Sequence, residues 1–360
     1  MKINILHITP DFNLNCGRSK YVFRLLKYFE KHQNFDLHFI TNGGDALYKL
    51  NELTNCKIKY LDFGRGIKNI FNIYRNVKEF KDYCISNNIN IIHTHHRYPE
   101  YVASLIKKKL KIKTVSSALS SVEGFKRLSF KSDLIVACSE SLKKNLVDVF
   151  GIEENKVKVL HHCIEPFPEI SDDDRNSFIK KINLKTGEKI ILFVGRITHI
   201  KGYDVIFEAC RKLRISGVPF RLVMMGSLID RKSRDIFRED FVTYIKPNEK
   251  YYCMYDLADV IVIPSRVDPY PLVMLEAALF AKPIISSDIP GITEFVKENE
   301  TGFLVPAGNA ELLARKIKFV LDNDELSTFI GYRAREQALN HHSCNKFFNQ
   351  IEKFYIELVS

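Results

Sequence analysis

Two pairs of charged side chains in the second half of this 360-residue sequence are spaced for chemistry. Arg196 and Lys201 stand in "VGRITHIKG", directly after the apolar run "IILF". Asp268 and Glu276 stand eight positions apart in "DPYPLVMLEAALFA". Glu276 is the one polar residue of "LVMLEAALFA", and a helix that is apolar all round is a buried helix. A lone carboxylate there is costly unless donors meet it. The hydroxyl pair of a ribose would supply them, and so would a structural salt bridge; the helix alone does not choose.

Pro269 and Pro271 bar regular helix before about Pro271, and proline suits a first helical turn. The spacing therefore predicts a helix from near Pro271 to about Phe280. Its first amides, on Leu272, Val273 and Met274, have no intrahelical acceptor. They form an anion site strengthened by the helix dipole. Arg196 offers a bidentate fork and Lys201 a point charge. An Arg and a Lys five apart in a loop are ordinarily solvated surface. Here they follow a strand's carboxyl end in the same domain as the helix-starting loop. The parts together describe a nucleoside-diphosphate site, with cations for phosphates, amides for oxygens and Glu276 for ribose.

These residues need a scaffold, and the chain alternates short apolar runs with amphipathic ones. Strands are expected at 3–9, 35–41, 57–63, 89–95, 113–119 and 133–139, with helices between, such as 19–32. The rhythm restarts after "CIEPFPEISDDDRNS", with strands at 189–196, 220–226, 241–245, 259–265 and 283–289. This is the pattern of doubly wound parallel sheets in an α/β protein. We expect a Rossmann-like domain over 1–165 and a second over 166–344. An amphipathic helix over 345–360 follows; it could pack on either, including back on the first. Two such domains imply a cleft, each sheet offering its ligand site at the carboxyl ends of its strands.

Composition narrows the class. Hydrophobic residues make up 46%, with no Trp but 26 Phe and 16 Tyr. No run reaches the ~18–20 apolar residues of a membrane span, and "MKINILHITPDF" reads as a first strand rather than a signal peptide. The eight cysteines form no C-x-x-C pair and read as reduced thiols of a cytoplasmic protein. "HHC" at His161–Cys163 is too compact for a tetrahedral metal set by itself. The net charge of +11 lies wholly in residues 1–165, whereas 166–360 balance. That asymmetry fits an anionic partner, or simply the Lys-rich bias of the chain. No nucleic-acid module is visible.

On these motifs the chain resembles the family-4 retaining glycosyltransferases of the GT-B fold. "VGRITHIKGYDVIFEA" is similar to the family's G-R-x-x-x-x-K-G segment. "DPYPLVMLEAALFAKPIISSDIPGITEFVKENETGFLVPAGNAELLARKI" resembles its Glu-x₇-Glu region and the tail that follows. The resemblance implies that Arg196 and Lys201, with Gly195 in the same segment, hold the donor diphosphate and that Glu276 binds the donor ribose. Asp268 takes the place of the first motif glutamate, beside the transferred sugar, and with Glu276 forms the catalytic set. The loop at Tyr270, Pro271 and Leu272 should contact sugar or phosphate. "YIKPN" (244–248), with Ile245, falls where the family holds the base, and Cys16-Gly17 falls at its Gly-rich loop facing the donor.

The sequence departs from the family pattern. Asp268 stands for Glu, Pro271 for a frequent Gly, and Cys16 for the first Gly of a pair. The family's His after the strand at 113–119 is missing from "TVSSALSS". His95, His96 and Arg97 in "IIHTHHRYPE" are the acceptor-side candidates, while His93 reads as structural.

The reading is a retaining, metal-independent hexosyltransferase that uses a UDP- or GDP-type sugar as substrate, with no cofactor. Its acceptor would be a glycan or a lipid-linked sugar, in surface-polysaccharide or glycolipid assembly. "IKKKLKIK" and "GFKRLSFK" suit an anionic membrane surface, placing the protein in the cytoplasm or on the inner face of the membrane. A sugar-nucleotide epimerase, or a binding subunit without transfer, are the rival readings.

Overall fold

The structure, a computed structural model, describes residues 2–14, 16–63, 68–246 and 248–360. The chain divides into two units, Met1–His162 with Asn345–Ser360, and Cys163–Cys344.

In the first unit seven strands form one sheet: β1 (Ile3–Ile8), β2 (Phe35–Thr41), β3 (Cys56–Tyr60), β4 (Ile91–Thr94), β5 (Lys113–Ala118), β6 (Leu134–Ala137) and β7 (Val157–Val159). Their order is β3-β2-β1-β4-β5-β6-β7, parallel throughout. The helices are α1 (Gly17–Phe29), α2 (Lys68–Ser86), α3 (Arg97–Leu110) and α4 (Glu140–Asp148). Leu6, Ile8, Ile40 and Ile92 of the sheet bury against Phe80 of α2 and Val102 and Ile106 of α3. In β1, Leu6 and Ile8 share a face because side chains alternate along a strand.

The second unit repeats the plan. Helix α5 (Asp172–Ile182) opens it, capped by Ser171, whose hydroxyl accepts from the Asp174 N–H. Asp172, Asp173 and Asp174 then complement the dipole of its first turn. Six strands follow: β8 (Lys189–Val194), β9 (Phe220–Met225), β10 (Val242–Ile245), β11 (Val260–Ile263), β12 (Ile284–Ser287) and β13 (Phe303–Val305). They run parallel in the order β10-β9-β8-β11-β12-β13. "IILFV", "LVMM" and "VIVI" are continuous apolar runs because both faces of a doubly wound sheet are covered. The helices are α6 (Tyr203–Ile215), α7 (Cys253–Leu257), α8 (Leu272–Leu279), α9 (Ala310–Asp322) and α10 (Asp324–His341). Ile206, Ala209 and Leu213 of α6 and Leu313 and Ile317 of α9 cover one face of this sheet.

The last helix, α11 (Cys344–Val359), packs on the first unit. Phe348 stacks on Tyr28 at 4.4 Å, and Phe347 meets Tyr21 edge-on at 5.8 Å. No described helix is long and apolar enough to cross a membrane.

Candidate functional site

In each sheet the strand order reverses once, between β1 and β4 and between β8 and β11. A ligand of a doubly wound sheet sits at that reversal, beyond the carboxyl ends of the strands. In the second unit this point is made by the loops 195–202 and 264–271. Those loops are tied together. The Arg266 N–H donates to the Ile200 carbonyl at 2.8 Å, and its guanidinium donates to the His199 carbonyl at 2.7 Å and to both oxygens of Asp204 at 2.8 and 2.7 Å. Gly202 adopts φ +73°, and a Cβ there would stand 2.0 Å from the Pro264 oxygen. Gly291, at φ +91°, presses as closely on the Pro269 oxygen. Only glycine allows backbones to approach so far in this conformation.

Two of the charged residues meet here. The Lys201 ammonium donates to the carboxylate of Asp268, which is only 7% exposed. Arg196 is exposed and forms no ion pair among the described residues. The Gly195 N–H continues the sheet, donating to the Met225 carbonyl at 2.9 Å. Pro271 is the N-cap of α8 in an extended conformation, with no side-chain cap. The amides of Leu272 and Val273 donate no hydrogen bond among the described residues. A guanidinium, an ammonium and two open amides at one strand-end crevice suit an anion with several oxygens.

Glu276, in the middle of α8, is 2% exposed. Its two oxygens accept from two phenols, Tyr251 at 2.7 Å and Tyr255 at 2.6 Å. Burial, and then the Glu276 charge, push the Tyr255 phenol well above its ordinary range, so it stays a donor. These phenols are partners of Glu276 that sequence reasoning missed. Tyr251 precedes α7 and Tyr255 lies within it, so no helical spacing marked them as a pair.

The remaining expected donor residues are spread around this point. Ile245 ends β10, is 1% exposed, and its carbonyl accepts from the Gly226 N–H at 3.3 Å. Pro247 of the expected base-holding stretch lies outside the described residues. The Tyr270 ring turns inward, its hydroxyl 3.2 Å from His342 Nε2. A cavity of about 220 Å³ lies between Lys189, Asp259, Lys282 and Asp324, at the amino ends of β8, β11 and β12. That is the end of the sheet away from the loops, so it is not the site they form.

In the first unit the reversal point carries Gly17, the first residue of α1, just beyond an extended Cys16. Arg18 pairs with Asp11 across it, a contact the sequence reading did not include. His95 follows β4 but points inside, 2% exposed, with its Nε2 3.1 Å from His7 Nδ1. His93 bonds Tyr355 Oη at 2.5 Å and Ser117 Oγ at 2.7 Å. Ring nitrogens of His7, His93 and His95 lie within 4.8 Å of one another, close enough to invite a metal reading. Yet both His93 nitrogens are engaged, and the His7 and His95 rings are parallel to within 1° and joined nitrogen to nitrogen. His93 thus belongs to a hydrogen-bond chain with Tyr355 and Ser117, whereas His7 and His95 bond each other and leave His7 Nε2 and His95 Nδ1 without a hydrogen-bond partner among the described residues. Burial holds His7 down to about 3 and keeps His93 and His95 well below the ordinary imidazole range.

His96 is exposed and caps α3, its Nδ1 accepting from the Tyr98 N–H at 3.3 Å. Arg97 holds the loop after β5: it donates to Ser129 Oγ at 2.9 Å and to the carbonyls of Glu123 and Gly124 at 3.2 and 2.7 Å. That loop exposes Phe125 and Leu128 on either side of Lys126 and Arg127.

Comparison with known proteins fits both halves. Residues 17–166 match the model of Glycosyltransferase Family 4, and residues 174–337 match that of Glycosyl transferases group 1. The capsular polysaccharide biosynthesis glycosyltransferase CapM of Staphylococcus aureus is 23% identical over 361 residues, covering 91% of each chain. Among solved structures, a glycosyltransferase from Rickettsia africae superposes with a TM-score of 0.85 at 22% identity, covering 100% of this chain and 99% of that one. Anabaena Alr3699/HepE in complex with UDP-glucose superposes with a TM-score of 0.82 at 14% identity, covering 99% of this chain and 100% of that one. With a family match to each unit and a shared fold along the whole chain, this protein belongs to the group 1 glycosyltransferases with a family 4 amino-terminal half, built on the GT-B fold.

Proposed function

We propose that this glycosyltransferase moves a hexose-type sugar, with retention of anomeric configuration, from a UDP- or GDP-type nucleotide sugar to a glycan or lipid-linked acceptor in surface-polysaccharide or glycolipid assembly. One arrangement carries the donor reading: exposed Arg196, together with Lys201, in the loop after β8, and the open amides of Leu272 and Val273 in the turn after β11, belong to the same β8/β11 reversal. In this reading Arg196 and Lys201 take the diphosphate and stabilise charge that grows as it leaves. The Lys201 ammonium has three donors, so it can keep Asp268 and take a phosphate oxygen. Asp268 is then fixed beside the transferred sugar. A carboxylate accepts about four hydrogen bonds, so Glu276 can hold its phenols and a ribose hydroxyl together.

The UDP-glucose complex of the Anabaena protein supports a nucleotide-sugar donor, and the likeness to CapM supports a polysaccharide product. The basic, partly apolar surface of the first unit supports work at the inner face of a membrane. No cofactor or metal is proposed.

The test begins with thermal shifts in UDP, GDP and ADP, because a ligand raises stability by mass action. The matching nucleotide sugar is then supplied with and without acceptor, in EDTA and without it, and the anomer of the product is read by NMR. Transfer with retention, unaffected by EDTA, is expected. Epimerised donor without any acceptor, or no response to any nucleoside diphosphate, would overturn the reading.

A further inference from the structure

Cys163 and Cys344 are the first and last residues of the second unit, 181 positions apart. Two short parallel pieces of chain meet there. Ile164 bridges Ser343, and the Ile164 N–H donates to the His342 carbonyl at 3.0 Å. Residues flanking a bridged pair project together to the opposite face, so Cys163 and Cys344 share a side. Both are in the thiol form, and their sulfurs are 2.7 Å apart. That is well inside the ~3.5–4.0 Å at which unbonded carbon atoms rest, and approaches the ~2.05 Å of a disulfide. Cys163 is 5% exposed, whereas Cys344 is partly exposed.

We propose that Cys163 and Cys344 are a reversible dithiol–disulfide pair that closes the second unit on itself. The oxidant is a low-molecular-weight disulfide. The Cys344 thiolate, the one within reach of solvent, attacks one sulfur of that disulfide, forming a mixed disulfide and expelling a thiolate. The Cys163 thiolate then attacks the Cys344 sulfur, and the second small thiolate leaves. Two cysteine thiols give up two electrons and two protons, and the small disulfide becomes two thiols. In a reducing compartment the pair rests open, and a bond reached from solvent is reversed by the same exchange. Closure of a loop this long constrains the unfolded chain strongly. It also ties at one point the two places where the chain passes between units.

The experiment equilibrates the full chain against mixtures of oxidised and reduced glutathione, quenches exchange with acid, unfolds the chain in guanidinium and alkylates every remaining thiol. Intact mass and a non-reducing peptide map are then recorded. As the mixture becomes oxidising, alkylatable thiols should fall from the eight in the sequence to six. One linked peptide pair carrying Cys163 and Cys344 should appear, and dithiothreitol should reverse it. The oxidised wild type should melt several degrees above the reduced form, and Cys163→Ser and Cys344→Ser should lose that difference. The wild-type peptide map decides even if a variant folds poorly. No linked pair at any mixture, a glutathione adduct on Cys344 with Cys163 still alkylatable, or a bond between other cysteines would each overturn the proposal.

Discussion

The ammonium of Lys201 rests on the carboxylate of Asp268, joining by charge the loop after β8 to the loop after β11. The two residues are 67 positions apart, and each has a proposed role toward a different part of the donor. Lys201 is therefore a structural cation as well as a candidate phosphate ligand, whereas Arg196 has no such second duty among the described residues.

This separates two substitutions that otherwise look alike. Arg196→Ala should melt like the wild type without nucleotide, yet lose most of the shift given by nucleoside diphosphate. A lost contact to the leaving charge is worth about 2–4 kcal/mol, or roughly a 30- to 1000-fold fall in transfer rate. Lys201→Ala should show the same catalytic loss and also melt lower. Asp268 is left buried without its partner, at a cost of about 1–3 kcal/mol. Scanning calorimetry with and without nucleoside diphosphate checks both; equal melting of the two variants would show that the Lys201–Asp268 pair adds nothing to stability.

The Glu276 carboxylate and the Tyr255 hydroxyl should be coupled energetically. Glu276→Gln and Tyr255→Phe each break a bond in a buried group, and the double variant should be less destabilised than their sum by about 0.5–3 kcal/mol. If Glu276 also serves the ribose, Glu276→Gln should weaken binding of the free nucleoside. Tyr255→Phe, which leaves the carboxylate in place, should weaken it less. Additive effects on melting would dissolve the coupling, and unchanged nucleoside affinity in Glu276→Gln would remove the ribose role.

The first unit should lose stability as pH falls through the ordinary imidazole range. His7, His93 and His95 are held neutral by burial, His7 down to about 3. In the unfolded chain each takes a proton near pH ~6.5. Between these limits the unfolded state binds more protons, so stability is present above pH ~6.5 and drains away below it. Each such histidine contributes a slope of about 1.4 kcal/mol per pH unit. The melting temperature of His7→Asn should therefore fall less steeply from pH 7 to pH 5 than that of the wild type. Parallel profiles would show that the buried neutral imidazole does not set the slope.

Membrane attachment has a sharper test than the charge count suggested. Lys107 is already committed, donating to Asp133 at 2.8 Å and to the Lys131 carbonyl at 2.7 Å. Lys108, Lys109 and Lys111 are exposed. At ~1 kcal/mol for each basic residue near an anionic surface, replacing these three by Ser should weaken vesicle binding on the order of 100-fold. Phe125→Ser with Leu128→Ser should weaken binding to anionic and neutral vesicles alike. Co-sedimentation at rising salt reads both. Salt-insensitive binding that ignores the lysine changes would exclude an electrostatic anchor.

Much of this architecture is written in runs of residues. Continuous apolar strands such as "VIVI" announce a sheet covered on both faces, and Pro269 and Pro271 mark where α8 can begin. Strands β7 and β13 escape because three residues, "VKV" and "FLV", are too few to display a period. That the loop of Arg196 and Lys201 and the first amides of α8 belong to the same end of one sheet follows from strand order, which the βαβ rhythm implies. What could not be read is which donors reach Glu276, since Tyr251 and Tyr255 come from before and within α7. Nor could "HTHH" reveal that His95 turns inward against His7 while His96 stays outside as a cap. Such choices are made by packing between elements distant in sequence.

Tyr355 reaches His93 and lies 5.3 Å from Phe29 and 6.3 Å from Phe35, so the last helix completes the interior of the first unit. During synthesis that interior must wait. All of Cys163–Cys344 leaves the ribosome between the two parts of the first unit, on the order of ten to forty seconds at ~5–20 residues per second. The usual vectorial order is thereby inverted: the second unit has its whole sequence in hand first. The amino-terminal unit meanwhile stands with an uncovered aromatic face, the surface that chaperones would shield until α11 has emerged.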